Sequence, residues 1–123
     1  MLCIKTVKSL SADELEKLNM LIDTFYYDNT LIQNEIVIYK KMDKDIIGCI
    51  CVNPKSKQDN MTTVCLLCTQ IEYWHTNIEK NLLDTAKNIA GTSLITGVNE
   101  ETHLYYEKFG FQQFTDTMMI LQK

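Results

Sequence analysis

The stretch Gly97-Val-Asn-Glu-Glu-Thr-His-Leu-Tyr-Tyr-Glu-Lys-Phe-Gly-Phe111 reads as the end of a strand, a short helix, a glycine stop and a new strand. Val98 closes an apolar run with Leu94 and Ile95. Asn99 suits a helix N-cap, because its side-chain oxygen can accept from the orphan amides of the first turn. Glu100 and Glu101 follow, where carboxylates oppose the positive end of the helix dipole. Leu104 and Tyr105 are expected on the apolar side, and Gly110 ends the helix.

Seven positions of this stretch stand in the register of the C-terminal signature of the GNAT N-acetyltransferase superfamily: Asn99, Tyr106, Glu107, Lys108, Phe109, Gly110 and Phe111. The chain resembles that superfamily here, with Thr102 where the family usually carries alanine. The resemblance implies an α/β (α+β) fold: a GNAT-like mixed, mostly antiparallel sheet with helices on both faces, in the order β-α-β-β-β-α-β-α-β. One domain over residues 1–123 is expected from the length.

Working outward, the rest of the chain supplies those elements. Residues 2–7 alternate as a strand. Ser11 and Glu14 form a capping-box pattern flanked by Leu10 and Leu15. Leu15, Leu18, Leu21, Ile22 and Phe25 recur at helical spacing, predicting a helix over about 12–26. Tyr26 and Tyr27 lead into a turn at Asp28-Asn29, a region that in a GNAT-like fold would shape the acceptor pocket. Residues 36–39 and 46–52 are β-rich around a turn at 42–45, a hairpin pattern. Residues 54–60 form a polar loop, and 61–69 another strand. Ile78, Leu82, Leu83, Ala86, Ile89 and Ala90 mark a helix, 92–98 a strand, and 117–121 the last strand.

Composition excludes several function classes. Hydrophobic residues are 46% and charged residues 23%, as in a globular domain with its own core. All 12 basic residues are lysines and the net charge is −4. With no arginine and no basic patch, nucleic-acid binding is not expected. No apolar run is long enough to span a membrane. The start of the chain goes straight into a strand pattern and has no room for a signal peptide, so a cytoplasmic (intracellular) protein is expected. A mildly acidic chain is compatible with a cationic amine substrate.

The five cysteines are Cys3, Cys49, Cys51, Cys65 and Cys68. An odd number in an intracellular chain argues against a disulfide framework. The spacings 49/51 and 65/68 fall inside apolar strands rather than in the turns where zinc knuckles form, and Cys65 and Cys68 are expected on opposite strand faces, so no metal is expected.

The resemblance also assigns a site. Acetyl-CoA, as co-substrate, would lie along the strand at Leu67, Cys68 and Thr69, held by backbone hydrogen bonds, with amides there polarising the thioester carbonyl. The loop and helix start, Trp74, His75, Thr76, Asn77, Ile78, Glu79 and Lys80, would meet the pyrophosphate. The general physics is that orphan amides and the helix dipole make an anion site. This loop departs from the family pattern: Trp74 stands at the arginine position, and Asn77 and Glu79 at the two glycine positions. Thr76-x-x-Glu79 also reads as a capping box that would occupy those amides. A carboxylate about 5 Å from a phosphate charge costs about 3 kcal/mol at an effective dielectric near 20.

Asn99 corresponds to the residue that orients the pantetheine arm. Tyr106 corresponds to the tyrosine that protonates the departing thiolate, a task suited to a phenol that keeps its proton at neutral pH. Glu72 is taken as the base for the amine; Glu35 and His75 are the alternatives. Two functions are compatible with these residues: an acyl-CoA-dependent N-acyltransferase that moves acetyl to a primary amine by direct attack, or a module of this fold that has lost CoA and acts through protein contacts. The acceptor would be a small-molecule or protein amine, and a homodimer could complete its pocket.

Overall fold

A computed structural model describes residues 2–25, 31, 34–54, 61–74 and 76–122. In chain order the elements are β1 (Leu2–Thr6), α1 (Ala12–Asp23), β2 (Ile36–Met42), β3 (Asp45–Pro54), β4 (Met61–Thr69), α2 (Ile78–Ala90), β5 (Ser93–Gly97), α3 (Glu100–Glu107), β6 (Gln112–Thr115) and β7 (Met118–Leu121). The strands form one sheet in the order β1-β2-β3-β4-β5-β7-β6. All neighbours pair antiparallel except β4 with β5.

Two departures from the expected order have simple causes. The chain after Gly110 is a hairpin, not a single strand: β6 pairs with β7 through Gln112↔Ile120 and Gln113↔Met119. β6 sits at the sheet edge and every residue in it is exposed, so it carries no apolar alternation to reveal it. α1 ends at Asp23, three residues before the predicted end. The expected turn at Tyr26–Asn29 and the bulk of the polar loop lie outside the described residues.

The sheet has a separate core on each face. On one side Val37, Tyr39, Cys49, Cys51, Leu66 and Cys68 pack against Leu18, Leu21 and Ile22 of α1. On the other, Ile38, Ile50, Val52, Val64 and Leu67 pack against Leu82, Leu83 and Ala86 of α2 and Tyr106 of α3. This is the alternation of strands buried on both faces, with amphipathic helices covering each. Burial of this kind contributes about 1.5–3 kcal/mol per large apolar side chain.

Ser11 opens α1 with the predicted capping box: its hydroxyl accepts from the Glu14 amide (3.1 Å), and Glu14 Oε1 accepts from the Ser11 amide (3.0 Å). Gly110 stops the α3 segment with φ 96°, a conformation that a side chain disfavours. Among the described residues no helix is long and apolar enough to cross a membrane.

An irregularity in β4 changes which face its cysteines take. Cys51 pairs with Leu66 but Val52 pairs with Val64, so Cys65 is an extra residue in a β-bulge. The bulge places Cys65 beside Asn53, whose Nδ2 donates to its sulfur (3.0 Å), on the α1 side of the sheet that also takes Cys68. Cys65 and Cys68 therefore share a face, against the expectation from uninterrupted alternation.

Candidate active site

β4 and β5 part company early. They pair only at Met61↔Ser93, Thr62↔Leu94 and Thr63↔Ile95. A last link joins them, Thr96 Oγ1 donating to the Val64 carbonyl (3.2 Å). Beyond it β5 pairs with β7, while β4 runs on to Thr69 beside β3 alone. A V-shaped notch opens between them.

The register decides which backbone groups face that notch. The Gln70 amide donates to the Ile47 carbonyl (2.8 Å), so by alternation Cys68 turns its polar groups to β3. Leu67 and Thr69 turn theirs to the notch. The notch-side carbonyl of Thr69 accepts from the Trp74 indole (2.8 Å), which ties the turn after β4 back onto its end.

α3 brings Tyr106 to the apex. Its start is rigid: Asn99 Oδ1 accepts from the amides of Glu101 and Thr102 (2.9 Å each), and Thr102 Oγ1 accepts from the Asn99 amide (2.9 Å). Tyr106 is buried and meets Tyr105 and Phe111 edge-to-face at 5.3 and 5.2 Å. Leu104, expected on the apolar side, is 71% exposed; Tyr105, Tyr106 and Phe109 fill that role. Burial raises the pKa of the Tyr106 phenol above its ordinary value, and a hydrogen bond with the Thr96 side chain only partly offsets the rise. The phenol therefore holds its proton at neutral pH.

The notch encloses a cavity of about 360 Å³. Leu67, Cys68 and Thr69 line it from β4, Trp74 from the turn, Glu79 from α2, and Tyr105 and Tyr106 from α3. Phe25, at the end of the α1 segment, closes it by packing on Trp74 with ring centroids 6.1 Å apart. Phe25 also borders a second cavity of about 400 Å³ that contains Glu72 and Asp45. Its Lys17 is engaged elsewhere, with Asp13 (3.2 Å) and the Lys44 carbonyl (2.7 Å).

The expected capping box at the start of α2 does not form. The Thr76 hydroxyl donates to the Tyr73 carbonyl (2.5 Å), and the N-cap is Asn77, whose side chain makes no capping bond. Glu79 turns away from the Thr76 amide and is buried in the cavity wall, where its Oε2 accepts from the Tyr105 hydroxyl (3.1 Å). A tyrosine 26 positions away outcompetes the local pattern. The first intrahelical bond runs from the Asn81 amide to the Asn77 carbonyl (2.9 Å), so the amides of residues 78–80 precede it.

Of the sequence-predicted site residues, the cavity gathers Leu67, Cys68, Thr69, Trp74, Glu79 and Tyr106. Thr76, Asn77, Ile78 and Lys80 do not line it; Lys80 is exposed, and Ile78 packs above Gly48. Asn99 faces a different hollow with Glu100 and His103, its side-chain oxygen committed to the cap. Glu72 sits in the cavity beyond Phe25, and His75 lies outside the described residues. Phe25, Thr96, Tyr105 and Lys108 join the site without having been expected there. Only Tyr105 had a local signal, as the aromatic beside Tyr106.

The cysteines are free thiols. Cys49 and Cys68 lie 3.6 Å apart across β3 and β4. Their contact and burial push the Cys49 thiol well up, and burial pushes up Cys51, which suits packing rather than nucleophilic work; desolvation also raises the exposed Cys65, against the hydrogen bond from Asn53.

Neither a family model nor a curated protein sequence matches the chain. Solved structures do. A Desulfovibrio desulfuricans protein described as a GNAT-family acetyltransferase superposes with a TM-score of 0.79 at 9% identity, over 99% of both chains. The chain has the GNAT fold. An acyl-CoA N-acyltransferase from Pseudomonas aeruginosa gives 0.79 at 12% identity, over 98% of this chain and 97% of its own. A PaiA N-acetyltransferase from Thermoplasma acidophilum, solved in complex with coenzyme A, gives 0.70 at 19% identity, over 100% and 99%. At these identities the likeness is one of fold, and the splayed β4–β5 notch and seven-stranded sheet are features of this chain itself.

Proposed function

We propose that this GNAT domain is an acyl-CoA-dependent N-acyltransferase that moves an acetyl group from acetyl-CoA to a primary amine. The observation that carries the reading is the buried Tyr106 phenol, held protonated at the apex of the notch among Tyr105, Phe111 and the β4 wall. Its surroundings fit the thioester end of the co-substrate. The Thr69 amide faces the notch, where an extended amide arm can lie along the β4 edge, and aromatic walls exclude water.

Acetyl-CoA bound there supplies an activated acyl thioester. Tyr106 Oη gives its proton to the departing sulfur, which a buried phenol does readily because the thiolate forms beside it. Glu72 takes the proton from the attacking amine, reaching it from the adjoining cavity past Phe25. Amides at the end of β4 polarise the thioester carbonyl. Asp45 and Glu72 give the adjoining cavity the charge an ammonium-bearing acceptor needs.

Glu79 favours a second reading, a binding module of this fold without acyl transfer, because a buried carboxylate stands beside the helix start. Calorimetric titration of the full chain with acetyl-CoA and CoA separates the two. The enzyme reading expects a micromolar dissociation constant. No heat of binding at millimolar CoA would sink it and turn the search to protein partners.

A further inference from the structure

Taking that reading as its basis, we infer that the notch holds a pantetheine thioester by its uncharged amide arm alone, and that the nucleotide diphosphate is left unclamped.

A diphosphate is held by forked cationic donors or by a helix start that lets it approach the backbone closely. The chain contains no arginine to act as a fork. The start of α2 is covered by side chains: Ile78 is 9% exposed and lies over Gly48, where an added Cβ would come within 3.1 Å of Ile78 Cγ2. Glu79, 5% exposed, sets a carboxylate in the cavity wall one residue further on. Among the described residues two charged side chains line the cavity, Glu79 and Lys108, of opposite sign. The Lys108 ammonium lies over the rings of Tyr105 (4.9 Å) and Phe109 (5.2 Å). Lys80 is exposed, where solvent and salt screen it.

The remainder of the cavity suits an uncharged amide chain. Its walls are Leu67, Phe25, Trp74, Tyr105 and Tyr106. Among the described residues Thr69 Oγ1 is a buried side-chain oxygen with no hydrogen-bond partner, and Thr69 lines the same wall. An arm amide entering the notch supplies that partner, and Glu79 Oε2, which already accepts from the Tyr105 hydroxyl, accepts from it as well. The same carboxylate that repels phosphate thus serves a neutral amide N–H.

Calorimetry on the full chain with three probes tests this: CoA, pantetheine and adenosine 3′,5′-bisphosphate. Pantetheine and CoA are expected to bind within about threefold of each other, and the bisphosphate not at all. CoA binding more than about tenfold tighter than pantetheine, or measurable binding of the bisphosphate, would overturn the inference while leaving the acyltransferase reading intact. Absence of binding by both CoA and pantetheine would overturn both.

Discussion

α1 and α3 begin alike, and α2 begins differently. Ser11 and Asn99 each close a complete capping box, so the first turns of α1 and α3 are satisfied by their own side chains. Asn77 makes no capping bond, Glu79 spends its side chain on Tyr105, and the Thr76 hydroxyl, which donates to the Tyr73 carbonyl, accepts from the Ile78 amide (3.4 Å). The closed starts belong to helices whose placement must be fixed: α1 covers one core, and α3 carries the phenol of Tyr106. Glu79 of the α2 start and Thr102 of the capped α3 start both line the cavity.

The largest expected effect comes from what α3 carries. Tyr106→Phe keeps the ring in its edge-to-face contacts with Tyr105 and Phe111 and removes only the proton donor. Turnover with acetyl-CoA and an amine is expected to fall about 100-fold, within the range for general acid catalysis, while CoA affinity stays within about twofold. Undiminished turnover would remove Tyr106 from the chemistry and make it a core residue.

Asn99→Ala comes next. It strips the Glu101 and Thr102 amides of their acceptor and is expected to cost about 1 kcal/mol, roughly 3–5 °C in melting temperature. Calorimetric melting checks it. A shift below about 1 °C would mean that the α3 box contributes little and that contact with the sheet alone positions Tyr106.

The legibility of this contrast in the sequence depends on where each capping partner lies. The α1 box is wholly local, Ser11 with Glu14, and reads directly. At α3 the Asn99 cap is readable, but its reciprocal partner Thr102 shows in the sequence only as a departure from the family's alanine. At α2 the same local pattern misleads. Thr76-x-x-Glu79 has the right residues, yet Tyr105, brought in by α3, takes the carboxylate. A capping pattern permits a box; tertiary neighbours decide whether it forms. The site shows the same division. Leu67, Cys68, Thr69 and Tyr106 come from strand pattern and the GNAT-like signature, whereas Phe25 against Trp74 and Thr96 beside Tyr106 depend on chain crossings that no window of sequence contains. The Cys65 bulge escapes for a related reason, since one inserted residue leaves the apolar pattern readable but changes its phase.

A smaller effect tests the α1 start through pH. The Lys5 ammonium, the Tyr39 hydroxyl and the Ser11 amide hold the Glu14 carboxyl down at about 2, against an ordinary value of 4.5. A depressed carboxyl contributes stability that is fully present above its unfolded value and is lost as pH falls through its folded one. Glu14 therefore contributes above about pH 4.5, and the contribution drains away toward pH 2. Glu14→Gln is expected to melt below the parent at neutral pH and to converge on it by about pH 2. Parallel melting curves across that window would show that the Lys5–Glu14 pair contributes nothing in solution.

The smallest expected effect is the sharpest test of the contrast. Asn77→Ala alters the N-cap residue of a helix, a change that ordinarily costs about 1 kcal/mol when the side chain caps. Here the side chain makes no such bond, so the expected change is a few tenths of a kcal/mol, under about 1 °C. The pair of variants, Asn99→Ala and Asn77→Ala, compares the same substitution at the same helix position in one molecule, which removes propensity from the comparison. A loss at Asn77 equal to that at Asn99 would mean that the α2 start closes on itself in solution. The amides of residues 79 and 80 would then be occupied by the chain's own side chains, as the Ile78 amide already is by Thr76, and the contrast between the helix starts would fail at α2.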